Sequence, residues 1–189
     1  MHMGGIYTVE PVSLPSGKFA ADWFDDDRSL WEDERLFKCR SLLASWRAPK
    51  LTVRLAGCEP TPVLFNPNAY AVSASVRAGL SRSSGLEFLP IDIVGFGQFF
   101  VLHPVAAYEL PPDAVAQRAP LYRGNIVNVI AFPESYVPET DFFGVRHPAD
   151  SPAGRAGSRV QAMFTTDRGA QVLEAACGEY LVARELVHA

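Results

Sequence analysis

Residues 86–103 read Leu86-Glu87-Phe88-Leu89-Pro90-Ile91-Asp92-Ile93-Val94-Gly95-Phe96-Gly97-Gln98-Phe99-Phe100-Val101-Leu102-His103. Two runs of β-branched and aromatic residues, Leu86 to Ile93 and Gln98 to His103, flank a glycine-containing turn. That is the pattern of two strands that pair as a hairpin. Downstream, Ile126 to Phe132 reads as a buried strand and Asp141-Phe142-Phe143-Gly144-Val145 as a short one, while residues 146–158 have the composition of an exposed loop. Upstream, Leu51, Val53 and Leu55 alternate with Thr52 and Arg54, predicting a half-buried strand. Asn66-Pro67-Asn68 is suited to cap a helix, and Ala69, Val72, Val76 and Leu80 then recur at helical spacing, ending near Gly79 or Ser81.

The C-terminal stretch repeats this alternation of elements. Val160, Ala162 and Phe164 alternate; Thr166 or Asp167 caps a helix with Ala170, Leu173 and Cys177 on one face. Gly178 offers a left-handed C-cap before a strand from Tyr180 to Leu186. The reading is an α+β fold, a mainly antiparallel sheet of about five to eight strands with few helices. It contains two strand-helix-strand units, Leu64-Phe65-Asn66 to Leu86–Ile93 and Met163-Phe164-Thr165 to Tyr180–Leu186. They read as two independent uses of one supersecondary pattern rather than as a duplication.

The chain has 189 residues, 48% apolar and 20% charged, the profile of a globular domain with core enough to fold without staples. It divides into an N-terminal segment, 1–50, and an α+β domain, 51–189, expected to form one compact body. Met1 to Gly5 carry no structural weight. No run reaches the ~18 apolar residues of a membrane helix, and the start lacks the basic-then-apolar order of a signal peptide. A cytoplasmic protein without membrane association is expected. A net charge of −4 argues against nucleic acid as a partner. Cys39, Cys58 and Cys177 are odd in number and without zinc-ligand spacing, so they read as unpaired, buried thiols in a reducing compartment.

The charge is concentrated. Asp22, Asp25, Asp26, Asp27, Glu32, Asp33 and Glu34 face only Arg28 in residues 22–34, giving −7 + 1 = −6 and leaving +2 for the rest of the chain. Trp23 and Trp31, two of the three tryptophans, lie in the same stretch. One reading is a solvated acidic loop whose aromatics anchor in the core. The other is a docking surface for a basic protein, in which Trp23, Asp25, Asp26, Asp27, Trp31, Glu32, Asp33 and Glu34 form the partner-binding set. The basic residues Arg35, Lys38, Arg40, Arg47 and Lys50 that follow read as charge balance.

Catalytic patterns are missing from the sequence. It has no H-E-x-x-H, G-x-S-x-G, G-x-x-x-x-G-K-[ST] or C-x-x-C. Gly95-Phe96-Gly97 has Phe100 where a dinucleotide fingerprint has its third glycine, and it opens a strand rather than a helix. Neighbouring acids in Asp25-Asp26-Asp27 point to opposite sides of an extended chain, which disfavours Mg²⁺ binding. His103 and His147 each precede a proline, and only a spatial pairing with Asp141 or Cys177 would make a triad. The expectation is no catalytic residue, no metal site and no cofactor.

Leu86-Glu87-Phe88-Leu89-Pro90-Ile91, then Gln98 through Glu109, then Met163-Phe164-Thr165-Thr166-Asp167 with its helix and Gly178 to Leu186, occur in an order that resembles one immunity-protein family of bacterial polymorphic toxin systems. This is the family numbered eleven, formerly a domain of unknown function. Ala107-Tyr108 stand where that family often has an Asp-containing step, and the acidic segment has no counterpart in its pattern. The resemblance implies a cytosolic, non-enzymatic toxin inhibitor that binds a cognate protein toxin and blocks it by occlusion. The alternative is a small-molecule binding module or cryptic enzyme with a pocket near His103 and Gly95–Gly97; a third reading is a scaffold or subunit-interface protein.

Overall fold

The computed structural model describes residues 4–23, 34–53, 57–66, 69–118, 126–155, 159–160 and 163–188. In chain order it has strands β1 (Ile6–Pro11), β2 (Asp22–Trp23), β3 (Lys50–Leu51), β4 (Val63–Asn66) and β5 (Ala69–Val72). Helix α1 (Ala74–Leu80) leads to β6 (Leu86–Ile93), β7 (Gly97–Pro104), β8 (Ala107–Glu109), β9 (Val115–Arg118), β10 (Ile126–Phe132) and β11 (Phe142–Arg146). The short helix α2 (Pro152–Arg155), β12 (Arg159–Val160), β13 (Phe164–Thr166), helix α3 (Asp167–Cys177), β14 (Leu181–Glu185) and β15 (Val187–His188) follow.

The fold is α+β with mostly strand content, as the sequence predicts. The described strands divide among three sheets, ordered β14-β1-β13-β11-β8, β2-β4-β5-β7-β6-β3 and β12-β10-β15, with β9 beside β10. Parallel pairs (β2 with β4, β3 with β6, β8 with β11) mix with the antiparallel ones. The expected hairpin forms in full register from Leu86↔Pro104 to Ile93↔Gly97. Gly95 and Gly97 adopt φ of +85° and +90°, a region that costs a side chain but not glycine.

Both strand-helix-strand units have one topology. β5 and β6 flank β7, β13 and β14 flank β1, and every pair with the inserted strand is antiparallel. Each helix therefore joins two parallel strands around an antiparallel one. The inserted strand comes directly after β6 in the first unit and from the opposite end of the sequence in the second, so the likeness is one of topology, not a copied segment. The helices meet each other at Gly79, where a Cβ would lie 2.9 Å from that of Ala176. Val76 and Leu80 of α1 bury with Leu173 and Cys177 of α3 against Phe100, Leu102 and Leu181. The Thr166 side chain accepts the Gly169 N–H at 3.5 Å, the N-cap expected for α3.

Four local expectations are corrected. Ala69 and Val72 belong to β5, paired with β4 as a hairpin, and α1 starts only at Ala74, capped by Ser73. Burial of Val63, Leu64, Ala71 and Val72 on two faces outweighs the helical spacing. Of the strand expected from Leu51 to Leu55, Leu51 is in β3, paired with Ile93 at the far end of β6, and Thr52 and Val53 are not strand, while Arg54 and Leu55 lie outside the described residues. Val160 and Phe164 fall on separate strands in different sheets. Gly178 has φ −59°, a right-handed end that keeps a helical bond from its N–H to the Glu174 carbonyl.

The two larger sheets are tied together where Ser84-Gly85 meets Asp141-Phe142. The Asp141 carboxylate, 6% exposed, accepts the Ser84 N–H at 2.7 Å and its hydroxyl at 3.0 Å. Its backbone carbonyl accepts the Thr165 hydroxyl at 2.8 Å and the Thr166 N–H at 3.0 Å. Gly85, at φ +86°, has no room for a side chain, since a Cβ would lie 2.0 Å from the Phe142 carbonyl oxygen.

The cysteines are free thiols, but they are not uniformly buried: Cys177 is buried, Cys39 half-buried and Cys58 exposed. Burial pushes the Cys39 thiol up to about 11 and the Cys177 thiol to about 12. Labelling the native protein at pH 8 with a thiol reagent should therefore modify Cys58 first, with the other two at least ~100-fold slower until denaturant is added. Equal native rates for all three would contradict these positions.

Candidate functional site

The described residues on the N-terminal side of the acidic segment end at β2, a strand at the end of its sheet beside β4. Asp22 is 7% exposed; its carboxylate accepts the Thr61 N–H at 2.8 Å, and its own N–H donates to the Thr61 hydroxyl at 3.0 Å. This acid fastens β2 to the residues just before β4. The Trp23 backbone pairs with Phe65. On its C-terminal side the described residues resume at a 3-10 turn, Glu34–Phe37. Of the partner-binding set, Asp25, Asp26, Asp27, Trp31, Glu32 and Asp33, together with the side chains of Trp23 and Glu34, lie outside the described residues.

The residues after the turn are bound to the hairpin more specifically than charge balance requires. Arg35 lies over the Trp46 ring at 5.6 Å, and the Trp46 indole N–H donates to the Pro90 carbonyl at 2.7 Å. Glu87 accepts from the Ser41 hydroxyl and from the N–H groups of Leu42 and Leu43 at 2.8 and 3.2 Å. Burial alone would raise its pKa, but these three donors outweigh it and hold the carboxyl below the ordinary range. Nothing in the local sequence signals this clamp, which spans some forty residues of chain.

Where the three sheets meet there is a cavity of about 520 Å³. Its apolar walls include Leu36, Phe37, Val101, Val129, Val145 and Met163, and its polar border includes Glu10, Tyr70, His103 and Arg184. His103, 1% exposed, places Nε2 2.9 Å from the Arg40 carbonyl oxygen. The Tyr70 hydroxyl donates to the Val9 carbonyl at 2.8 Å. Gly144 lets Cys39 approach the cavity wall, since a Cβ there would lie 2.1 Å from Sγ. The expectation of a pocket at His103 is met in position. Gly95 and Gly97 do not border it; they form the hairpin tip, where Val94 and Phe96 are exposed.

The spatial triad does not form. The Asp141 carboxylate is held by Ser84 and lies 3.6 Å from Arg168, while the Cys177 thiol donates to the Leu173 carbonyl at 3.2 Å. His147 Nε2 is buried and has no hydrogen-bond partner among the described residues, and burial lowers the pKa of its ring. Among the described residues no group of three or more His, Cys, Asp or Glu could hold a metal ion, and no helix is long and apolar enough to cross a membrane. Against protein-family models and against curated proteins, the chain finds no match.

Proposed function

We propose that this chain is a cytoplasmic immunity protein that binds a cognate protein toxin and neutralises it by occlusion. The observation that carries the reading is the −6 segment, fastened at one end by Asp22 to a sheet edge and at the other by the Glu34–Phe37 turn. A charged stretch tethered at both ends is suited to steering and then holding a basic surface. The resemblance adds support, because its blocks lie on β6, β7, β8, β13, α3 and β14, and the hairpin and α3 share one core through Phe100, Leu102, Leu173 and Leu181. Co-expression with the product of the adjacent gene tests it: a stoichiometric complex is expected, and none at micromolar concentration would overturn it.

Neutralising Asp25, Asp26 and Asp27 together should slow association with the toxin ~10-fold at low salt and far less at high salt, leaving dissociation nearly unchanged. Trp31→Ala or Trp23→Ala should instead accelerate dissociation, costing about 2 kcal/mol or more if the ring is the interface anchor. Rate constants and unfolding midpoints measured on the same variants check this. A lower midpoint with normal kinetics would place the ring in the core and remove it from the interface.

A second reading, of the chain as a small-molecule binding module, is favoured by the cavity at His103. About 520 Å³ lies within the range of small-molecule sites.

A further inference from the structure

The apolar side chains lining the cavity come mostly from β7, β10 and β11, and its charged ones, Glu10, Arg184 and Glu185, from the paired strands β1 and β14. Thr8 and Glu10 share one face of β1, and Thr8 stands opposite Arg184 in the register. The Thr8 hydroxyl donates to Glu10 Oε1 at 3.2 Å, and Arg184 Nε lies 3.0 Å from Glu10 Oε2. This chain fixes the guanidinium through one edge. Arg184 borders the cavity, and among the described residues it has no side-chain partner besides Glu10, which leaves its remaining N–H donors without a protein acceptor there. Asn128, also on the border, likewise has no side-chain hydrogen bond among the described residues.

The sign of the local charge follows from the same strands. Glu10 is compensated by Arg184. Glu185 borders the cavity too, but it stands opposite Tyr7, so strand alternation puts its carboxylate on the other face, where its charge and that of Asp167 act on the Tyr7 hydroxyl. The one charged group at the mouth with donors to spare is Arg184, while the Asn128 amide offers both a donor and an acceptor. A planar donor fork above an apolar chamber matches a carboxylate carried on an apolar body.

We infer that the cavity binds one small amphipathic carboxylate, its apolar body between Val101, Val129, Val145 and Met163 and its carboxylate on Arg184. This rests on the small-molecule reading of the cavity and is independent of toxin neutralisation. Arg184 is 69% exposed, so the head group adds selectivity while the walls supply most of the affinity.

The test is an NMR titration of the full chain with decanoate, decan-1-ol and decylamine, which share one apolar body. Decanoate should bind about fivefold more tightly than decanol and perturb Val101, Val129 and Met163; Arg184→Ala should abolish that preference while leaving decanol binding and the unfolding midpoint unchanged. Equal binding of acid and alcohol, preference for the amine, or a preference that survives Arg184→Ala would overturn the head-group assignment while sparing the cavity as a small-molecule site. Failure of all three probes to perturb the cavity residues would overturn both.

Discussion

Asp141→Ala should lower the thermal unfolding midpoint by roughly 4–8 °C. Removing the carboxylate leaves the Ser84 N–H and hydroxyl without their acceptor at a junction between two sheets. Ser84 is exposed, so water takes up part of each loss; two hydrogen bonds at ~1 kcal/mol each give about 2 kcal/mol, and for a chain of this length each kcal/mol corresponds to ~2–4 °C. The Arg168 contact adds little, since that side chain is 74% exposed. Asp141→Asn keeps one acceptor oxygen for Ser84 and should lose about half as much. Calorimetry on the two variants checks the order; an unchanged midpoint in the alanine variant would show that the junction does not hold the sheets together.

The second large effect is alkaline. The folded state raises the pKa of Cys39 to about 11, of Cys177 to about 12 and of Tyr7 to about 12, and it also raises that of Tyr70. Burial is the leading cause for the thiols and Tyr70, and the hydrogen bond to Asp167 for Tyr7. In each case the folded state favours the protonated form, so the unfolded chain releases its protons first and binds fewer. Stability is then fully present below the unfolded thiol pKa of ~8.5 and is lost as pH rises toward the folded values. With ~1.4 kcal/mol per unit for each thiol, the loss between pH 8 and pH 11 is on the order of 6 kcal/mol. Denaturant titrations across that range should show the decline, and Cys177→Ala should flatten part of it. A pH-independent stability would contradict the burial of both thiols.

What was legible in the sequence was what is decided locally. The β6–β7 hairpin declared itself because its two runs are adjacent and its turn carries the glycines that a positive φ requires. Helix α3 declared itself through Thr166 and the Ala170, Leu173, Cys177 stripe. Residues 69–72 did not, because helical spacing and strand alternation overlap over so short a run, and pairing with Val63–Asn66 settles the outcome. The cavity had only a partial signal. His103 stood out as a polar residue ending an apolar strand, but the rest of the site comes from β1, β5, β10, β11 and β14, brought together by three sheets. The Glu10–Arg184 pair joins residues from opposite ends of the chain, which no window of sequence displays. The acidic segment was legible by composition alone, and the structure adds where it is anchored.

Titrating the purified product of the adjacent gene with this protein, while following the toxic activity, tests the central proposal most directly. The account predicts that activity falls linearly and vanishes near one molar equivalent. Activity that persists at a tenfold molar excess, with the toxin and this chain both folded, would contradict it.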